Sequence, residues 1–120
     1  MDRKSLGAWG EQQAARYLRL RGYRILDQNF SCRSGEIDII AKKGNFIVFA
    51  EVKLRKNADF AEAREFVTYA KQRRILAAAG LYLATHDLDL QPRFDVIEVY
   101  APNGESSRKV RINHLIDAYQ

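Results

Sequence analysis

A chain of 120 residues, 47% hydrophobic and 29% charged, has the length of one domain and enough apolar content for a single core. Its formal net charge of +5 favours polyanionic partners and disfavours basic ones. No apolar run approaches the roughly 20 residues that span a bilayer, and the charged N-terminus lacks a signal core, so the expectation is a cytoplasmic protein without a membrane partner. Cys32 is the only cysteine, which excludes an intramolecular disulfide and a Cys-based zinc site; His86 and His114 match no metal-ligand spacing and read as structural or surface residues.

The first element is a helix from Ser5 to Arg21, with Ser5 as N-cap and Gly22 as its stop. Glu11 has Ala8, Ala15 and Leu18 at helical spacing, which puts a carboxylate on a small apolar stripe. Alternatively the stripe turns toward Trp9 and Tyr17 and leaves Glu11 at its edge. Tyr23 to Phe30 reads as a first strand, and residues 31–35 as a connection.

Glu36–Ala41 and Phe46–Val52 read as a β-hairpin around Lys42–Asn45. With Gly44-Asn45 as a two-residue turn, Lys43 faces Phe46 and Asp38 faces Glu51. Lys53, two residues beyond Glu51, shares its face. Opposed carboxylates repel, and in an apolar neighbourhood they resist joint ionisation. A divalent cation resolves the conflict, and oxygen donors select magnesium, manganese or calcium over zinc. The plainer alternative is a charged hairpin end in which Lys53 neutralises Glu51.

Residues 55–65 read as an exposed loop beside this cluster. A second helix runs from Thr68, its N-cap, to about Thr85, with an apolar stripe of Gln72, Ile75, Leu76, Ala79 and Leu83. Lys71, Arg73 and Arg74 in its first turns oppose the helix dipole, a penalty that bound phosphate would reverse, unless they form a solvated basic face. Arg93–Tyr100 is a strand ended by a Pro-Asn-Gly turn. Lys109–Ile112 is a short last strand, and Asn113 caps a final helix through Tyr119.

Asp38 followed by Glu51-Val52-Lys53 resembles the PD-(D/E)xK nuclease signature, with Ile37 where that signature carries proline. Glu11 is similar to the additional helix carboxylate of Holliday-junction resolvases in that superfamily. More closely, the hairpin segments, Lys71 and residues 93–96 resemble the bacterial YraN-like family, which is nuclease-like and poorly characterised. The resemblance covers nearly the whole chain. It implies one restriction-endonuclease-like domain over residues 1–120, with an αβββαβ core and a mixed central sheet flanked by helices.

The function implied is a magnesium- or manganese-dependent endonuclease acting on branched or structured DNA in repair or recombination, with a homodimer suited to paired cuts. Asp38 and Glu51 would be metal ligands, with the Val52 carbonyl as a third, and Glu11 would complete the shell. Lys53 would activate the attacking water or stabilise developing charge. Arg55, Lys71, Arg73 and Arg74 would contact phosphates, while Gln72 and an Arg33–Glu36 ion pair would support the site. The alternatives are a non-catalytic nucleic-acid-binding module on the same core, and an interaction scaffold.

Overall fold

The computed structural model describes residues 3–55, 67–104, 107 and 109–119. Its elements follow the order α1 (Arg3–Leu20), β1 (Arg24–Cys32), β2 (Gly35–Lys43), β3 (Phe46–Arg55), α2 (Tyr69–Thr85), β4 (Gln91–Tyr100) and β5 (Arg111–Leu115). The strands form one five-stranded sheet in the order β1-β2-β3-β4-β5. Only β3 and β4 run parallel, joined through α2, because parallel neighbours need a crossover. No helix among the described residues is long and apolar enough to cross a membrane.

Each helix covers one face of the sheet. Ala14, Ala15 and Leu18 of α1 pack on Ile39, Ala41, Val48, Ala50, Ile97 and Val99. Ile75, Ala78, Ala79 and Tyr82 of α2 pack on Ile40, Ile47, Phe49 and Val96. β3 is therefore hydrophobic on both faces, as its sequence indicates.

Gly22 ends α1 in the manner expected. It takes a left-handed φ of +87°, its amide bonds the Arg19 carbonyl at 3.1 Å, and the Tyr23 amide bonds the Leu18 carbonyl at 2.9 Å. The Thr68 side chain caps α2 by accepting from the Lys71 amide at 3.1 Å. Gly44 has a φ of +58° in the two-residue turn, and Lys43 faces Phe46.

Five expectations are corrected, the first being the start of α1, which begins at Arg3 and so holds Ser5 inside the helix and not at its cap. The stripe of α2 turns to Ile75, Ala78, Ala79 and Tyr82, leaving Leu76 39% exposed, because the alanines let the helix sit closer to the sheet. The last strand is Arg111–Leu115, so Asn113 lies within β5 rather than capping a helix, and its side chain donates to Glu98 at 2.8 Å. The first strand extends to Cys32, shortening the connection to β2. In α1, Ala8 is exposed, Trp9 and Tyr17 are half-buried, and Glu11 stands at the edge of the buried stripe. The loop expected at 55–65 falls, beyond Arg55, outside the described residues.

Candidate active site

The hairpin register continues from Lys43↔Phe46 only as far as Ile39↔Ala50. Asp38 and Glu51 come next, but here backbone pairing stops and a side chain replaces it. The Val52 amide donates to Asp38 Oδ2 at 2.8 Å. The pairing of β1 with β2 is interrupted at the same level, between Gln28↔Ile39 and Phe30↔Ile37. Asn29 stands in that gap with a φ of +54°, a left-handed conformation that asparagine tolerates better than most residues. Asp38 thus lies where the sheet parts on both sides, and its carboxylate reaches a cleft instead of a ladder neighbour.

The cleft has a volume of about 240 Å³ and is lined by Gly35, Glu36, Asp38, Glu51, Lys71, Arg74 and Ile75. A larger cavity of about 390 Å³ lies between Gln72 and Tyr119, with no carboxylate or lysine in its lining. Gly35 lets α2 approach the start of β2, since a Cβ there would sit 3.1 Å from Arg74 Cβ and 3.2 Å from the Arg74 carbonyl oxygen.

Glu51 is buried, with its side chain 6% exposed, and two ammonium groups share its Oε1. Lys71 makes the direct ion pair, whereas Lys53 Nζ stands 3.8 Å away. The two lysines diverge accordingly. Burial and then the neighbouring Lys71 charge hold the Lys53 ammonium below the usual lysine range. Burial also opposes the Lys71 ammonium, but its hydrogen bond to Glu51 and the charges of Glu51 and Asp38 raise it overall.

Burial, followed by the Glu51 charge, pushes the Asp38 carboxyl up to about 7, against the opposing Val52 amide. Glu11 is also pushed up, first by burial and then by Glu51. With its amide nitrogen turned toward Glu11, Asn29 donates to both carboxylate oxygens, at 2.7 and 3.2 Å. Asn29 was not singled out from the sequence. The available signal was an asparagine inside a β-run, a residue suited to a left-handed break.

The donor chemistry suits a hard divalent cation. Asp38 and Glu51 supply carboxylate oxygens close enough to hydrogen-bond one another, and their joint ionisation is opposed until positive charge arrives. They make a two-carboxylate site, since among the described residues no three His, Cys, Asp or Glu side chains converge as metal ligands. Glu11 acts on the pair through its charge and the bond to Asn29.

The remaining predicted residues are dispersed. Arg74 lines the cleft, while Arg73 is exposed and lies near Tyr69, with Nη1 3.4 Å from the hydroxyl. Arg55 is drawn away from the cleft by a buried bond to Glu98 at 2.6 Å. Gln72 donates to the Val67 carbonyl at 2.9 Å. Arg33 and Glu36 are both exposed, and the described residues show no ion pair between them, because Glu36 belongs to the cleft wall while Arg33 sits in the preceding turn.

Asp95 is fully buried in a separate network. It takes two bonds from Arg93, at 2.9 and 2.7 Å, and lies 2.6 Å from His114 Nε2; Arg93 also donates to the Tyr23 hydroxyl at 2.7 Å. This network lies on the α1 side and ties β4 to β5 and to the start of β1.

The profile of Uncharacterised protein family UPF0102 matches residues 10–99, which hold both the hairpin and α2. A UPF0102 protein of Caldanaerobacter subterraneus subsp. tengcongensis is 43% identical over 120 residues, covering 99% of this chain and 98% of the relative. Another from Syntrophotalea carbinolica is 52% identical over 99 residues, 82% of this chain and 80% of the relative. A third, from Clostridioides difficile, is 41% identical over 120 residues, 99% of this chain and the whole of the relative.

Proposed function

The chain belongs to Uncharacterised protein family UPF0102, and from its carboxylate–lysine cluster we propose that it is a metal-dependent endonuclease acting on branched or otherwise structured DNA. The observation that carries this reading is the meeting of Asp38 and Glu51 in one cleft beside two lysines driven in opposite directions. The order Asp38, Glu51-Val52-Lys53, with Glu11 on the preceding helix, further supports membership of the PD-(D/E)xK superfamily and a relation to its Holliday-junction resolvases.

Asp38 and Glu51 would hold a magnesium or manganese ion, with the Val52 carbonyl and, through water, Glu11 completing its shell. When bound, that ion supplies Lewis-acid polarisation of the scissile phosphate and a more acidic water. The chain's own residues do the rest. The Val52 amide fixes Asp38 Oδ2, so the carboxylate needs little reorganisation. Lys53, whose ammonium releases its proton more readily than an ordinary lysine's, is the group suited to orient the attacking water or exchange a proton with it at Nζ. Lys71 remains charged and, with Arg74, suits the phosphate that bears the developing charge. Junction resolution would require two such sites, hence a homodimer.

One observation favours a second reading. Lys71 neutralises Glu51 from within the chain, as in a nucleic-acid-binding module that keeps the core but performs no chemistry. Labelled four-way junctions, flaps, nicked duplexes and single strands, titrated with magnesium and manganese, separate the two. The endonuclease reading expects metal-dependent cuts that Glu51→Gln and Lys53→Ala abolish while DNA binding persists. Binding without cleavage of any substrate selects the module, and equal loss of binding in both variants removes these residues from the chemistry.

A further inference from the structure

A second charged surface lies at the other end of the same strands. Arg24 on β1 stands directly opposite Lys42 on β2 in the antiparallel register, and both are exposed. Like charges directly opposed on a strand pair are destabilising, so the arrangement costs stability where neutral residues would not. Among the described residues, neither side chain has a hydrogen-bond or ion-pair partner. The carboxylate of Asp27, further along β1, is occupied by the Gln28 amide at 2.9 Å. Asp87 and Asp89, after α2, pair with neither residue.

The positive surface continues around the edge through exposed Arg21 and Lys43. These two have local duties. Lys43 donates to the Arg21 carbonyl at 2.7 Å, a bond to the end of α1, and lies over the Tyr23 ring. The Arg21 guanidinium lies over the Tyr17 ring. Arg24 and Lys42 have no comparable duty, so the bland explanation by helix-end capping covers half of the cluster and leaves the opposed pair unexplained.

Strand alternation relates this pair to the cleft. Ile40 packs toward α2, so Lys42, two residues on, shares its face, and Asp38 lines the cleft on that same side with Arg74 and Ile75 of α2. Four residues at about 3.3 Å each separate Asp38 from Lys42 by roughly 13 Å. Duplex DNA rises about 3.4 Å per base pair along its axis, so for a duplex lying along β2 the separation corresponds to about four base pairs. A duplex with one phosphate at Asp38 and Glu51 would bring a phosphate of its opposite strand, across the minor groove, toward Arg24 and Lys42.

We propose that Arg24 and Lys42, flanked by Arg21 and Lys43, form a second backbone contact that holds a duplex DNA arm about four base pairs from the carboxylate cleft. The spacing to the cleft rests on the endonuclease reading; the contact itself requires only nucleic-acid binding. It accounts for an opposed basic pair that the fold does not need.

The test uses metal-free, full-length protein, a labelled 20-base-pair duplex and a salt series, comparing wild type with the Arg24→Gln/Lys42→Gln double variant. Two lost phosphate contacts flatten the log–log salt slope by about 1.8 and weaken binding more than about tenfold at 0.1 M salt. Thermal melting of the double variant should be unchanged or higher, because a repulsive pair has been removed. An unchanged slope with a lower melting temperature assigns the pair to the fold and overturns the proposal. A loss confined to duplex RNA or to anionic-lipid vesicles, probed in parallel, overturns the assignment to DNA. Failure to cleave any substrate removes the endonuclease reading and leaves this contact standing; an unchanged salt slope does the reverse.

Discussion

Lys71 and Glu51 join α2 to β3 through an ion pair at the mouth of the cleft, with the carboxylate side chain 6% exposed and the lysine side chain 36% exposed. The ammonium occupies the same carboxylate oxygen, Oε1, that faces Lys53. A divalent cation binding Glu51 at Oε1 must therefore compete with Lys71.

Lys71→Met measures that competition. Losing the partner of a buried carboxylate is costly, but the half-exposed lysine is well screened, so the loss of stability should be about 1 kcal/mol. Manganese should then raise the melting temperature of chelator-treated Lys71→Met protein more than that of wild type, since ligand stabilisation follows affinity. An equal or smaller shift in the variant would show that lysine and metal do not share Glu51.

Asp38 makes stability fall as pH rises. Its carboxyl is raised from an ordinary value near 3.9 to about 7 in the folded chain, chiefly by burial and then by Glu51. The folded state therefore binds the proton more tightly than the unfolded state. The resulting stabilisation is complete below about pH 3.9 and is lost as pH rises through about 7. Asp38→Asn should match wild type near pH 4 and exceed it by about 1 kcal/mol or more at pH 7.5, since each tenfold loss of acidity in the folded carboxyl is worth about 1.4 kcal/mol. The same substitution should remove the melting shift produced by magnesium or manganese. Denaturant titrations at both pH values, repeated in a Lys53→Ala background, decide this. Clear destabilisation by Asp38→Asn at pH 7.5 in both backgrounds, with wild type indifferent to metal, would make Asp38 a structural carboxylate.

Asp95 and Glu98 make stability fall in acid. Burial raises both carboxyls, but hydrogen bonds outweigh it: His114 and Arg93 act on Asp95, and Arg55 and Asn113 on Glu98, leaving both below the usual range. Their contribution is present above about pH 4 and disappears as pH falls through the depressed folded values. Asp95→Asn removes one partner of a buried pair and should cost about 3–5 kcal/mol at pH 7, with most of the difference from wild type gone at pH 2. Urea unfolding at the two pH values is the measurement, and a cost below about 1 kcal/mol at pH 7 would contradict a structural role.

Gly35→Ala tests the approach of α2 to the cleft without altering any charged group. The new Cβ must displace Arg74 by a few tenths of an ångström. Overpacking of this kind should cost about 1–3 kcal/mol and lower any cleavage several-fold through misplacement of Lys71 and Arg74. Gly7→Ala is the control: its Cβ meets nothing within 4 Å, and in a helix the change should stabilise by up to about 1 kcal/mol. Equal effects of the two substitutions would remove packing against Arg74 as the cause.

The sequence by itself determined the local features whose causes are local. Gly22 ends α1 because glycine relieves a left-handed φ, Thr68 caps α2 because its hydroxyl meets an unpaired amide, and Gly44-Asn45 fixes the hairpin register. From that register came the meeting of Asp38, Glu51 and Lys53. What the sequence could not reach was decided by contacts between distant segments. Pairing stops beside Asp38 because Asn29, on another strand, takes a left-handed turn toward Glu11 and because the Val52 amide prefers a carboxylate to a carbonyl. Arg55 turns to Glu98 because β4 lies parallel to β3 and buries an acid within reach. Asn113 stays in a strand because Glu98 needs its amide, although its local sequence suits a helix cap. In each case a buried polar group left without a partner would cost more than a local preference supplies, so tertiary pairing outweighed propensity.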